Sequence, residues 1–268
     1  MSDTSKYELA DGLLIAEKGD GIARLTLNHP KRHNAMRLAM WEGVPKAIAD
    51  FESDADMRVV VLSGAGGRAF CAGADISEFP ENRSTPEDIH HYDAQAHVAI
   101  DSLLHCRMPV IAAVDGVCVG GGMELAMACD IVLASEQSRF GVTPSKLGLG
   151  YSLNDTRILV GAIGSRGALE LLLTGKIHNA SDAHRLGLIN HVYSADEYQN
   201  VVEDYATTIA GNAPIAVSSC KAIVRQIMEG DVDEAACNAL VDACFASEDY
   251  KEGQRAFAEK RKPNFRGV

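Results

Sequence analysis

Apolar and polar positions alternate between two rhythms along this chain. Apolar runs near residues 59–63, 110–114 and 131–135, with a fourth segment at 189–193, have the length and side-chain type of strands. Between them, segments near 86–105, 122–129 and 165–173 repeat their apolar residues at helical spacing. Upstream, Leu13 to Asn28 predicts a hairpin turning at Gly19-Asp20-Gly21, followed by a helix from about Leu38 to Asp50. Past about Ala195 the pattern is helical almost throughout, with Pro214 placed to start one helix and Gly230 to end it. Strands and helices in alternation predict an α/β fold with the ββα rhythm of a stacked superhelix, although no sequence repeat is visible. The chain divides into a core over 1–195 and a mostly helical region over 196–268, suited to meet partner subunits or to cover a ligand.

Composition narrows the partners. With 268 residues and 47% hydrophobic content, the chain can bury a substantial core. Its net charge is −12, from 25 basic and 37 acidic side chains, whereas a nucleic-acid surface needs a basic footprint; no nucleic-acid partner is expected. The start, Met1 to Tyr7, lacks the apolar stretch of a secretory signal. The longest apolar tract, Val110 to Ser135, is interrupted by Asp115, Glu124 and Asp130, so no membrane span is expected. Seven cysteines form no Cys-x-x-Cys pair and leave an odd count; they read as small buried hydrophobes in a reducing cytoplasm.

Two glycine-rich turns carry the candidate chemistry. Val110 to Val114 leads to Gly120-Gly121-Gly122 and then to the helical Met123 to Cys129. A strand that passes through glycines into a helix aims free backbone N–H groups at one point, at the positive end of the helix dipole, where an oxyanion can be held. One turn into that helix stands Glu124, flanked by Met123, Leu125, Ala126 and Met127. Desolvation there would raise its pKa and suit it to proton transfer. The second turn, Ser63 to Asp75, follows the strand Val59 to Leu62. Its Gly64-x-Gly66-x-x-Ala69 matches a dinucleotide fingerprint, but Phe70 to Gly73 brings another turn where a long helix is required, so that reading is rejected. A pair of oxyanion donors, one from each turn, fits better.

Several ordered motifs resemble the crotonase, or enoyl-CoA hydratase/isomerase, superfamily. They are Ala69-Phe-Cys-Ala-Gly-Ala-Asp-Ile76, Pro109-Val-Ile-Ala-Ala-Val-Asp-Gly116, Gly120-Gly-Gly-Met-Glu-Leu-Ala-Met-Ala-Cys-Asp-Ile131 and Phe140-Gly141. The likeness runs from Ile22 to Phe265, almost the whole chain. It implies that the backbone N–H groups of Ala74 and Gly121 hold the thioester oxygen of an acyl-CoA and that Glu124 is a catalytic glutamate. It implies further that Ala72, Gly73, Ala74, Asp75 and Ile76 wrap the adenine end of coenzyme A, and that Lys260 belongs to a C-terminal motif reaching the CoA phosphates. Lys31 and Arg32 are the other candidates for a local phosphate patch on so acidic a chain. Coenzyme A would be part of the substrate, with no permanently bound cofactor. In the superfamily the helical tail builds trimers and dimers of trimers, which makes a homotrimer or hexamer the expected assembly.

The departures from that pattern bear on the reaction. Two-glutamate hydratases carry a second carboxylate twenty residues after the first, where this chain has Pro144. Thr143-Pro-x-x-Leu-Gly-x-x-Tyr151 instead resembles methylmalonyl-CoA decarboxylase, whose matching threonine and tyrosine line the site; that enzyme has a histidine where this chain has Ala74. The expected activity is that of an acyl-CoA lyase working through a thioester enolate, with Glu124 as single acid/base for hydration or isomerisation. Hydration by one carboxylate would be slow, by about 10²-fold. The alternatives are decarboxylation of a malonyl-type CoA by Tyr151 and Thr143, and acyl-CoA binding without turnover. Asp155 offers a substitute for the missing carboxylate, or a helix cap. Asp130 and Asp75, at strand and turn boundaries, read as structural. His97, Asp101 and His105 recur every four residues beside His90, His91 and Asp93. Their ends would lie about 12 Å apart along a helix, too far for one metal ion, so they read as a polar helix face and no metal is expected.

Overall fold

The computed structural model describes residues 4–268. Among these residues eleven strands are formed: β1 (Ser5–Leu9), β2 (Leu14–Gly19), β3 (Ile22–Leu27), β4 (Val59–Gly64), β5 (Ala69–Cys71), β6 (Val110–Val114), β7 (Val117–Val119), β8 (Ile131–Ser135), β9 (Arg139–Gly141), β10 (His178–Asn179) and β11 (His191–Tyr193). The helices in the first two thirds are α1 (Leu38–Ser53), α2 (Phe79–Asn82), α3 (Pro86–Leu104), α4 (Gly121–Ala128), α5 (Pro144–Leu147), α6 (Leu153–Thr174) and α7 (Ala180–Leu186). Four more complete the chain: α8 (Ala195–Ala210), α9 (Pro214–Glu229), α10 (Glu234–Ala246) and α11 (Glu248–Glu259).

A seven-stranded sheet runs in the order β1-β2-β3-β4-β6-β8-β11, antiparallel over its first three strands and parallel from β3 onward. A second sheet, in the order β10-β9-β7-β5, is built from the short strand that follows each of β4, β6 and β8. Strand, short strand and helix thus recur as β4-β5-α3, β6-β7-α4 and β8-β9-α6, the predicted ββα rhythm. The central parallel strands β4, β6 and β8 are buried on both faces, which explains their unbroken apolar runs. Val60 and Leu62, with Val110, Ala112 and Val114, point into the main core, whereas Val59, Val61, Ile111, Ala113 and Leu133 point into a smaller core on the opposite face. Tyr198, Val202 and Ala206 of α8 close that smaller core. The helix that opens the C-terminal region is therefore part of the folded core, although the change to a helical pattern at about 195 separates it.

Other elements differ from the pattern reading in extent. The hairpin turn is formed by Asp20 and Gly21, both at positive φ, as predicted. Helix α6 begins at Leu153, well before the expected 165, because Gly164 at φ 71° and ψ 169° interrupts it and divides its periodicity. The cysteine reading needs correction: Cys71, Cys106, Cys118 and Cys129 are buried, but Cys220 is exposed and Cys237 and Cys244 are half-buried on the C-terminal helices. Asp130 is structural, accepting from Val110 N–H at 2.8 Å and pairing with Lys221 and Arg225 of α9 at 2.7 Å each.

Candidate active site

Both glycine turns leave the small sheet side by side, after β5 and after β7. Met36 forms a one-residue parallel bridge with Ala74: Met36 N–H donates to Gly73 O at 2.7 Å and Asp75 N–H to Met36 O at 2.8 Å. Those bonds use the groups on either side of Ala74 N–H and leave it unpaired among the described residues. Helix α4 begins at Gly121, and the N–H groups of Met123 and Glu124 turn back to Gly120 O at 2.8 and 3.2 Å. Gly121 N–H has no partner among the described residues, as the first amide of a helix must unless something outside the helix accepts it. The two donors are neighbours, since a methyl group built on Gly121 would stand 3.8 Å from Ala74 N. That methyl would also lie 3.1 Å from the Trp41 ring, which is why the position takes glycine although its φ is ordinary. Gly120, at φ 55° and ψ −128°, holds a conformation that side chains avoid, and so lets the chain turn sharply into α4.

Side chains missed by the pattern reading brace the turns. Asn34 is fully buried; its Nδ2 donates to Ala65 O at 2.9 Å and Ala69 O at 2.7 Å, tying down the loop between β4 and β5. Trp41 Nε1 donates to Tyr92 Oη at 3.0 Å, and Tyr92 in turn donates to Met36 O at 3.2 Å. The only signal for these roles in sequence is residue type; their partners lie 31 to 56 residues away.

A cavity of about 670 Å³ opens in front of the two donors, lined by Ala72, Gly73, Ala74, Ile76, Gly120, Gly121, Glu124, Thr143, Tyr151 and Asp155 among others. Glu124 follows the Gly121 donor by three residues, on the same face of α4, so its carboxyl stands over the first turn. Burial pushes its pKa up to about 8, the charges of Asp155 and Asp93 push in the same direction, and Arg83 opposes them. Arg83 is itself held by Asp93 at 3.1 Å and lies over the rings of Phe79 and Tyr92. Phe79, Ile89, Ala96, Ile100 and Leu147 supply apolar wall.

A polar cluster at the start of α6 lines the same cavity as Glu124. Ser152 caps the helix, its Oγ accepting from Asp155 N–H at 3.1 Å and donating to Asp155 Oδ2 at 2.5 Å. His97 Nε2 lies 3.3 Å from Ser152 Oγ and 3.7 Å from Asp155 Oδ2. This refines the reading of His97 as part of a polar helix face: it lines the cavity, while His105 pairs with Glu229. Asp155 is not the cap but the third residue of the helix, and it is 7% exposed. Its Oδ1 and the Tyr151 hydroxyl are both buried without a partner among the described residues. Burial, then the charges of Glu124 and Asp155, raise the Tyr151 pKa far above its ordinary value, so it remains a donor. Thr143 precedes α5 and lines the same wall without capping that helix.

The remaining candidates divide. Lys31 and Arg32 lie exposed on a short helical turn joined to the Ala72–Ile76 segment through Ala72 N–H, which donates to His33 O at 3.0 Å. Arg32 is close enough to help lower the Asp75 pKa, though the Asp75 carboxylate itself is turned toward Ser77. Lys260, in the left-handed conformation after α11, lies outside the lining of its own chain's cavity. The segment after it is fastened by Arg58, which donates to Phe265 O at 2.8 Å at the start of β4, the end remote from the glycine turns. A larger cavity, about 850 Å³, lies beside α9, where Asp130, Lys221 and Arg225 are mutually paired, and holds none of the site residues. Among the described residues no three His, Cys, Asp or Glu side chains are grouped to hold a metal ion, and no helix is long and apolar enough to cross a membrane.

Comparison with known proteins shows the family. Residues 17–268 match the family model described as enoyl-CoA hydratase/isomerase. The short-chain-enoyl-CoA hydratase of Clostridium acetobutylicum is 36% identical over 251 residues, covering 93% of this chain and 95% of that protein. The crotonyl-CoA hydratase of Syntrophomonas wolfei is 35% identical, covering 94% and 97%. A crystal structure described as an enoyl-CoA hydratase/carnithine racemase from Magnetospirillum magneticum superposes with a TM-score of 0.91 at 37% identity, covering 96% of each chain. With two glycine turns presenting paired donors and a glutamate one helical turn away, the chain belongs to the enoyl-CoA hydratase/isomerase family, within the crotonase superfamily.

Proposed function

We propose that this protein adds water across the double bond of a 2-enoyl-CoA thioester, with Glu124 carrying the proton for the carbon next to the thioester. The observation that carries the reading is the convergence of two unpaired backbone N–H groups and a proton-holding carboxyl on one cavity. Electron density pushed from the double bond accumulates on the thioester oxygen, where Ala74 and Gly121 N–H stabilise it; one such donor contributes about 3 kcal/mol to a transition state. Glu124, still protonated near neutral pH, then protonates the enolate carbon. Ala72 to Ile76, with Lys31 and Arg32 beside them, are suited to the adenine and phosphates of coenzyme A, which enters and leaves with the acyl group. The hydratase names of the relatives support the same choice.

Decarboxylation through Tyr151 and Thr143 is less well supported. A substrate carboxylate at Tyr151 would face Asp155, whose charge already acts on that hydroxyl. The test is parallel assay of crotonyl-CoA, a 3-enoyl-CoA and methylmalonyl-CoA with wild type, Glu124→Gln and Tyr151→Phe. Hydration of crotonyl-CoA that falls at least 100-fold in Glu124→Gln is expected. Carbon dioxide release that survives Glu124→Gln and disappears in Tyr151→Phe would establish the decarboxylase instead. Binding of all three esters with no turnover would leave only a carrier.

A further inference from the structure

The missing second carboxylate has a candidate replacement from another direction. In place of a carboxylate at position 144 stands Pro144, but Asp155 reaches the same cavity from the first turn of α6. Two facts set it apart from an ordinary helix-start acid. Only one of its oxygens is satisfied: Oδ2 has Ser152 and His97, while Oδ1 is buried with no partner. Four residues earlier, the Tyr151 hydroxyl is buried and equally unpaired. Both residues line one cavity, the charge of Asp155 acts on the Tyr151 hydroxyl, and a buried donor and a buried acceptor without partners among the described residues are each costly unless a polar group reaches both. A group that accepts from Tyr151 and donates to Asp155 must be a water molecule or a hydroxyl.

Resting on the hydratase reading above, we propose that Tyr151 and Asp155 hold the water that adds to the acyl chain, and that Asp155 takes its proton. The step balances without any further reagent. A lone pair of the water oxygen forms the new C–O bond at the β carbon while one O–H bond breaks and its proton passes to Asp155 Oδ1. The C=C electron pair moves to the thioester oxygen at Ala74 and Gly121 N–H, and returns to bond the α carbon to the proton of Glu124. His97 touches Asp155 and is partly open to solvent, and so offers the outward path for the proton gained by Asp155, while Glu124 regains one from solvent. Ser152, bonded to Asp155 through both backbone and side chain, is a positioning residue for the carboxylate.

The two halves of the reaction can be read separately on the full-length protein. Hydration of crotonyl-CoA needs the water site; exchange of the α hydrogens of butyryl-CoA for deuterium in D₂O, followed by mass spectrometry at pH 8, needs only Glu124 and the paired N–H groups. Asp155→Asn is expected to slow hydration at least 100-fold and to leave exchange within about threefold of wild type, in line with the usual size of acid–base contributions. Tyr151→Phe, which removes an unpaired hydroxyl and leaves the ring, is expected to slow hydration about tenfold with the same sparing of exchange. Hydration unchanged in both variants would overturn the proposal, as would an equal loss of hydration and exchange, which would mark Asp155 as structural. Wild-type exchange without any hydration would reject the hydratase reading itself.

Discussion

At the scale of single residues, the site is governed by which groups are left unpaired. Ala74 and Gly121 N–H, Tyr151 Oη and Asp155 Oδ1 lack partners among the described residues where neighbouring polar groups are satisfied, and a raised pKa marks Glu124 among them. That proton has a thermodynamic consequence. The unfolded chain releases it near the ordinary glutamate value of 4.5, whereas the folded protein keeps it to about 8. Stability is thus free of this cost below pH 4.5 and declines as pH rises through that interval. Glu124→Gln, neutral at every pH, is expected to stabilise the protein at pH 7 by about 3 kcal/mol, read as a shift of the urea midpoint, while it abolishes turnover. An unchanged midpoint would place the carboxyl in water. Because the reaction needs the protonated form, kcat/KM for hydration is expected to fall as pH rises past about 8, with Asp155, Asp93 and Arg83 as the charges that set the position of that limb.

At the scale of elements, the donors are positioned by close approach of α4 to the small sheet. A methyl group built on Gly122 would stand 2.2 Å from Cys71 O, so the first turn of α4 rests directly on the end of β5. Gly122→Ala is expected to cost about 1–3 kcal/mol by overpacking and to spread the two glycine turns, with a loss of turnover exceeding the loss of folded protein measured by circular dichroism. Gly121→Pro removes one donor outright and is expected to lower turnover at least 100-fold in protein that remains folded. These turns were legible in sequence because a buried apolar strand, β4 or β6, stands one short strand before each and writes an unmistakable run. The partners β5, β7 and β9 are three residues each, too short for alternation to show. The first half of α6 was hidden by Gly164. His97 looked like one stripe of a polar helix because its partners, Ser152 and Asp155, arrive 55 and 58 residues later; periodicity describes an element's own face and says nothing of what is brought against it.

At the scale of the whole molecule, one chain leaves much apolar surface without cover. Among the described residues α10 buries none, and Val224, Ile227, Met228, Phe245 and Phe257 of the last three helices are exposed, Phe257 to 88%. Patches of this kind mark contact sites, which supports the reading of the helical tail as an oligomerisation region. A trimer or hexamer is expected by light scattering at micromolar concentration; a monomer alone would contradict it. Lys260, remote from its own cavity, would then act on a neighbouring chain, and Lys260→Glu is expected to weaken CoA binding most at low salt, where charge is least screened. Equal affinity at all salt concentrations would remove Lys260 from the phosphate site.

The enolate held by paired N–H groups beside Glu124 is the central claim, and α-hydrogen exchange isolates it from every later step. Butyryl-CoA in D₂O with wild type is expected to gain deuterium at the α carbon, and with Glu124→Gln to gain it at least 100-fold more slowly. Exchange at equal rates in the two proteins would contradict the account.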